Sequence, residues 1–311
     1  MAEKLNIGID IGGTKVNIGL VDQSGNILFK KKVMTDSKKN PEDLIKQISS
    51  YTLEIIKDQN LTMDEIGFIG AGVPGTVDPS TGIISYLPNL SWYEVPCGNY
   101  FEEYLGRKVL IAQDSRNGAL AEMLFGAGRG YTNLLCIAIG TGIGCGVIID
   151  KKIYNGALNT AGELGHTPVV KGGRKCVCGN EGCLERYSSG TAILEGALQR
   201  YPKKFCDREK SCEAVFAMAY EGDKEILDFI DECVDYLAFG IANAISLFSP
   251  EAIIISGGLC EHKELYVDPI EEKMYKYGYF SWTHLHKTRV HQAILGSDAP
   301  MIGAAMLERG I

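Results

Sequence analysis

Ile7–Asp22 reads IGIDIGGTKVNIGLVD, and Cys136–Asp150 reads CIAIGTGIGCGVIID. Each opens on an apolar run of strand formers, breaks at glycines and resumes as a second strand. That pattern is hairpin grammar, and it occurs twice. The first copy predicts strands over Leu5–Ile11 and Val16–Val21. The second predicts strands over Leu134–Ile139 and Val147–Ile149, with Gly140–Gly146 as the turn. Because the glycines lead back into a strand, DIGGTK (Asp10–Lys15) fits neither the Walker loop nor the dinucleotide fingerprint, which both open a helix.

Working outward, DQSGN turns the chain into a third strand, Ile27–Val33. Asn40 followed by Pro41 marks a helix start, a cap residue and then a first-turn proline. Leu44, Ile48, Tyr51 and Ile55 repeat at helical spacing. Further strands are predicted over Ile66–Val73 and Lys108–Ala112, with a helix from about Ser115. A long helix, Lys224–Phe248, precedes the buried strand AIIISGG, which ends on Gly257 and Gly258. A closing helix is expected near Met301–Arg309. Sheet and helices in each half, with glycine turns facing a shared cleft, predict a two-lobed α/β fold. The expected lobes are 1–112 plus about 300–311, and 113–299.

The glycine turns suggest phosphate. A turn of Gly12, Gly13, Thr14 and Lys15 offers backbone N–H groups in a nest, a hydroxyl and a charge. Asp10 stands where a phosphate-bound magnesium needs an anion. Gly140, Thr141, Gly142 and Gly144 offer a second cradle. Either turn alone reads more readily as a structural hairpin; their pairing, together with the Cys/His motif described next, favours a triphosphate.

Gly165–Cys183 reads GHTPVVKGGRKCVCGNEGC. His166, Cys176, Cys178 and Cys183 are the donor types of a closed tetrahedral zinc site, which has no open position and is structural. The other cysteines are scattered, several within apolar runs. With no export signal at MAEKLNIGID, they read as reduced thiols of a cytoplasmic protein.

The chain has 311 residues, 45% hydrophobic and 23% charged, with a net charge of −8. This is a soluble composition with no membrane span expected. The acidic balance disfavours nucleic acid and anionic membranes and leaves small-molecule chemistry open.

These residues together resemble the ROK sugar kinases, which share the hexokinase/actin-like ATPase (ribonuclease H-like) fold. DIGGTK is similar to that family's first phosphate loop and IGTGIGCG to its second. GELGH with CVCGNEGCLE is similar to its substrate-and-zinc segment. GVPGTVD (Gly72–Asp78) and the ISGG strand end also match. The resemblance implies a zinc-stabilised loop in the second lobe, magnesium with ATP, and phosphorylation of a hexose at its 6-hydroxyl. It implies Asp114 as the base; on local sequence alone, an acid there reads equally as a helix cap. It implies sugar contacts from Gln113, Asp114, Glu163, His166 and Glu185, with Gly75, Thr76 and Asn89 at the sugar's edge. Asn89 also reads as a turn residue.

Where the family reads Asn-Asp-Ala-Asn, this chain reads Gln113-Asp114-Ser115-Arg116. Gln113 is one methylene longer, and Arg116 is large and charged where a small amide is expected. Both bear on which sugar is taken. Glucose leads, with allose, fructose or an N-acetylhexosamine as alternatives, and a homo-oligomer (dimer or tetramer) is expected. A non-catalytic sugar-sensing regulator is the alternative of another class. The family's repressors carry a helix-turn-helix ahead of the first loop, for which the residues before Asp10 leave no room. His284, His286 and His291 read as an exposed strand and loop, not a second metal site. Tyr275, Tyr277, Tyr279 and Phe280 read as packing or a subunit contact.

Overall fold

The structure is a computed structural model, described here for residues 4–87, 90–279 and 288–310. Asn89, His284, His286 and Phe280 lie outside the described residues.

The strands are β1 (Leu5–Ile11), β2 (Lys15–Val21), β3 (Ile27–Met34), β4 (Ile66–Val73), β5 (Thr76–Asp78), β6 (Ile83–Leu87), β7 (Trp92–Val95), β8 (Leu110–Gln113), β9 (Leu134–Ile139), β10 (Ile143–Ile149), β11 (Lys152–Ile153), β12 (Ala252–Ser256) and β13 (Arg289–Gln292). One five-stranded sheet is ordered β3-β2-β1-β4-β8 and another β11-β10-β9-β12-β13. The two orders are the same plan: third, second, first, fourth and fifth strand of each half. The paired glycine hairpins therefore belong to a repeat of the whole sheet. A small sheet, β5-β6-β7, follows β4.

The helices are α1 (Pro41–Asp58), α2 (Cys97–Leu105), α3 (Asp114–Phe125), α4 (Glu185–Ser188), α5 (Gly190–Arg200), α6 (Cys212–Tyr220), α7 (Lys224–Phe248), α8 (Asp268–Met274) and α9 (Ala299–Ala305). Asn40 caps α1 by accepting the Asp43 N–H at 2.8 Å, as its sequence predicts. Leu44, Ile45, Ile48, Ile55 and Ile56 form the buried stripe of α1. They join Ile7, Ile9, Val16, Ile18 and Ile69 in one core. β3, at the sheet edge, alternates half-buried with exposed residues and carries Lys30, Lys31 and Lys32, which discourages edge-to-edge pairing.

Contacts divide the chain into two compact units. One comprises Met1–Thr132, Gly146–Ala161 and Ile294–Ile311; the other comprises Asn133–Cys145 and Gly162–Ala293. This differs from the expected boundary at 112/113. Helix α3 packs on α9, so the helix that begins with Asp114 counts with the first unit. Buried Asn6 donates to the Ala305 carbonyl at 2.9 Å, tying β1 to α9. The buried carboxylate of Glu122 on α3 accepts the N–H groups of Ala127 (2.8 Å), Leu295 (2.9 Å) and Ile294 (3.2 Å).

The second glycine turn is shorter than expected. Ile143–Gly146 is already strand, so Gly144 belongs to β10 and not to the turn. Gly146 serves packing: a Cβ there would fall 2.6 Å from the Ser115 carbonyl and 2.4 Å from the Ala119 side chain. The strand therefore runs against α3 where any side chain would hold them apart.

Candidate functional site

In the first unit, β1, β4 and β8 run parallel as neighbours. Asp10 lies opposite Gly72, and Gly72 lies opposite Ala112. Asp10 and Asp114 therefore stand at the same end of the sheet, two strand spacings apart, or about 10 Å in the hydrogen-bonding direction. Gly75 and Thr76 follow the end of the strand between them. The carboxyl ends of parallel strands are where open α/β sheets bind ligands.

The turn beside Asp10 is a hairpin, as its sequence predicts. The Gly12 N–H donates to the Lys15 carbonyl at 2.9 Å, and the Thr35 N–H donates to the Thr14 carbonyl at 2.9 Å. The Thr35 hydroxyl donates to the Gly12 carbonyl at 2.8 Å. The end of β3 thus braces Gly12 and Thr14, with Gly13 between them. Asp10 accepts from Asn17 Nδ2 at 3.1 Å, a partner set by the hairpin register. Sequence reading missed Asn17, although the turn length puts it opposite Asp10. Burial raises Asp10 above the usual aspartate range, against the pull of the Asn17 hydrogen bond, Lys15 and Lys30; Asp298 adds to the rise.

Asp114 is the first residue of α3, and Gln113 is its cap residue at the end of β8. Asp114 Oδ1 accepts the Ser115 N–H at 2.7 Å. Arg116 does not face solvent: it is 2% exposed. Its Nη1 donates to Asn155 Oδ1, and its Nη2 to the Asn159 and Ala161 carbonyls. Asn117 and Glu122 of the same helix are buried with it, so no polar–apolar pattern along α3 singles Arg116 out.

In the second unit, β9 and β12 are parallel neighbours, with Ser256 opposite Ala138. Gly140–Gly142 follow one strand and Gly257–Gly258 the other. The Gly140 N–H donates to the Gly142 carbonyl at 3.0 Å, with Thr141 at the tip. Gly257 has φ of +90°, a conformation open to glycine and strained for other residues.

Glu163 precedes a short helical turn, Leu164–His166. Glu185 opens α4, and its Oε2 accepts the Ile143 N–H at 2.9 Å. The structure thus places this carboxylate on the second glycine turn, a contact sequence reading did not foresee.

His166, Cys176, Cys178 and Cys183 offer donor atoms that all lie within 4.8 Å of one another. His166 Nδ1 is 3.6 Å from Cys176 Sγ, and Cys178 Sγ is 3.6 Å from Cys183 Sγ. A tetrahedron with metal–sulfur bonds of about 2.3 Å and metal–nitrogen bonds of about 2.0 Å has edges of roughly 3.5–3.8 Å. The distances fit that solid and are far too long for a disulfide. Burial pushes the Cys183 thiol up to about 12, so an ion bound there displaces a proton.

Among the described residues no helix is long and apolar enough to cross a membrane. Cys97, Cys136, Cys145 and Cys233 are buried, Cys206 is exposed, and Cys212 and Cys260 are half-buried.

Residues 6–310 match the profile of the ROK family. The chain is 34% identical over 313 residues to a glucokinase of Thermotoga maritima, covering 97% of this chain and 96% of the relative. It is 29% identical over 314 residues to the xylose repressor of Bacillus subtilis, covering 97% of this chain and 76% of the repressor. The crystal structure of a ROK family glucokinase from Streptomyces griseus, in complex with glucose and AMPPNP, superposes with a TM-score of 0.82 at 31% identity, covering 97% of this chain and 98% of that one. The fold is the mixed α/β, actin-like ATPase fold of the ROK glucokinases. With its motifs, its repeated sheet and this similarity along nearly its whole length, the chain belongs to the ROK family.

Proposed function

We propose that this chain is a sugar kinase that transfers the γ-phosphoryl group of ATP to the 6-hydroxyl of a hexose, with glucose as the leading substrate. The observation that carries the reading is the placement of Asp10 and Asp114 at the carboxyl ends of parallel β1 and β8. The two acids divide the labour. Asp114 takes the proton of the attacking hydroxyl, a contribution of about 10²–10⁴-fold in rate. Asp10 holds the magnesium that accompanies ATP, directly or through water. The rest of phosphoryl transfer is alignment and charge neutralisation. The turns Gly12–Lys15 and Gly140–Gly142, with Gly257 and Gly258, supply N–H donors to the nucleotide. Thr14, Thr141 and Lys15 add hydroxyls and a charge.

Gln113, Glu163, His166 and Glu185 are assigned to the sugar, whose hydroxyls both donate and accept. Gly75, Thr76 and Asn89 are assigned to its edge. Gln113 is the residue whose length sets the choice among epimers: a site built to bond one hydroxyl rejects sugars that lack it there. Allose, fructose and N-acetylhexosamines are the alternatives. Zinc on His166, Cys176, Cys178 and Cys183 is structural: it fills every ligand position and orders the loop between His166 and Glu185. A homo-oligomer, no nucleic-acid partner and a cytoplasmic location complete the reading.

The similarity to a xylose repressor supports a second reading, a regulator that binds sugar without phosphorylating it. ADP release measured in a coupled assay over a panel of hexoses separates the two. Hexose-dependent ADP release with the phosphorus signal on the 6-oxygen is expected. Sugar binding with no ADP release from any hexose would overturn the kinase reading in favour of the regulator.

A further inference from the structure

The turn Gly140–Ile143 is held by the segment that carries the four metal-type donors. Glu185 Oε2 accepts the Ile143 N–H at 2.9 Å. The same carboxylate packs against Gly142, where a Cβ would fall 2.4 Å from Oε2. The Gly190 N–H donates to the Gly140 carbonyl at 2.8 Å. Gly165 lies so close to the turn that a Cβ on it would fall 2.2 Å from the Ile143 carbonyl oxygen. The donors sit immediately beside these contacts: His166 follows Gly165, and Cys183 precedes Glu185 by two residues.

We infer that Glu185 is a positioning residue of this turn, and that through it the Cys/His cluster and the nucleotide phosphates are linked, each site when filled raising the affinity of the other. The inference rests on the reading of Gly140–Gly142 as a phosphate-binding turn. Backbone N–H groups stabilise phosphate only if they are already aimed at it. The aim of this turn depends on an anchor at Ile143 and on packing at Gly142 and Gly165. All three are supplied from residues within two positions of a metal donor. The loop between His166 and Cys183 is rich in glycine and has little core of its own, so binding the ion and ordering the loop are one equilibrium. Loss of the ion frees Glu185 and Gly165 together. Linkage is reciprocal, so the nucleotide must retain the metal by the same factor that the metal tightens the nucleotide.

The role of Glu185 has a sign that separates positioning from charge. A carboxylate beside a phosphate turn repels phosphate, so a purely electrostatic role predicts tighter nucleotide binding once it is removed. A positioning role predicts weaker binding for Glu185→Ala. Glu185→Gln keeps an oxygen to accept the Ile143 N–H and loses the charge, so it should bind at least as well as wild type.

The test uses ADP titration calorimetry on the intact, zinc-loaded wild type, Glu185→Gln and Glu185→Ala, with zinc content measured for each. A second arm follows zinc release to a chromogenic chelator with ADP, and with AMP, which lacks the β-phosphate. We expect ADP affinity to fall about tenfold in Glu185→Ala and to stay within about threefold, or tighten, in Glu185→Gln. ADP should slow zinc release from wild type several-fold, AMP should do so less, and Glu185→Ala should abolish the difference. Wild-type ADP affinity in zinc-loaded Glu185→Ala overturns the positioning role. Zinc release from wild type that ignores ADP, although ADP binds, overturns the linkage even if Glu185→Ala does not fold. Wild type that binds no ADP at all overturns the nucleotide reading instead, and the linkage with it.

Discussion

Arg116 and Asn155 meet through a hydrogen bond of 3.0 Å from Nη1 to Oδ1, and the other arm of the same guanidinium reaches the carbonyls of Asn159 at 2.8 Å and Ala161 at 3.0 Å. One buried side chain on α3 therefore shapes the loop that runs into Gly162 and Glu163. A lysine has a single point of charge and cannot make this fork. Arg116→Ala should lower stability by roughly 2–4 kcal/mol, since the lost bonds are charge-assisted. It should also raise the KM for sugar by loosening the approach to Glu163, with Arg116→Lys intermediate in both. Denaturant melts and steady-state kinetics check this; a variant with wild-type stability would remove the clamp from the account.

Asp114→Asn keeps the size of the side chain and an oxygen for the Ser115 N–H, but removes the proton acceptor. Turnover should fall by about 10²-fold or more while hexose and ADP affinities stay within several-fold. The comparison needs binding and rate measured on the same preparation. Near-normal turnover would mean that another group takes the proton.

The Cys/His cluster predicts one zinc per chain by elemental analysis of protein prepared without chelator. Cys178→Ser and Cys183→Ser should each lower zinc content and melting temperature, because the ion supplies folding energy to its loop. A fully active protein with no zinc at all would refute the structural role.

Asp10 carries a pH signature. Burial raises its folded-state pKa above the unfolded value, so the native state holds the proton more tightly. The resulting stability is fully present below the unfolded value, about pH 4, and is lost as pH rises through the raised folded value. At neutral pH the ionised side chain therefore costs stability. Asp10→Asn should melt above wild type at pH 7, and the gap should close as pH falls toward 4. The same variant should lose the stabilisation that magnesium with nucleotide gives. An equal gap at both pH values would locate the effect elsewhere than in ionisation.

Much of this was legible in the residues. Leu5–Ile11, Ile66–Val73 and Lys224–Phe248 carry periodicities strong enough that their ends fall where read. The metal cluster was equally plain, because donor type and close spacing leave few arrangements. The second turn was misjudged because glycine has two uses: Gly140 and Gly142 turn the chain, while Gly144 and Gly146 lie in strand. Periodicity along one segment cannot reveal α3 pressing on Gly146. Arg116 was hidden for a related reason, since its partners lie some forty positions onward in a loop with no pattern. Asn89 and the paired histidines His284 and His286 fall outside the described residues.

The tie between Asn6 and Ala305 has a consequence for the order of synthesis. Strand β1 needs a helix that is translated 299 positions after it. Glu122 waits likewise for the N–H groups of Ile294 and Leu295. The unit comprising 133–145 and 162–293 has its whole sequence ahead of α9. Chains truncated after residue 293 and released should show protease resistance in that unit while β1 and α3 are still cut. β1 and α3, translated ahead of that unit, then become native after it, and a chaperone that shields nascent chains would find its binding site there.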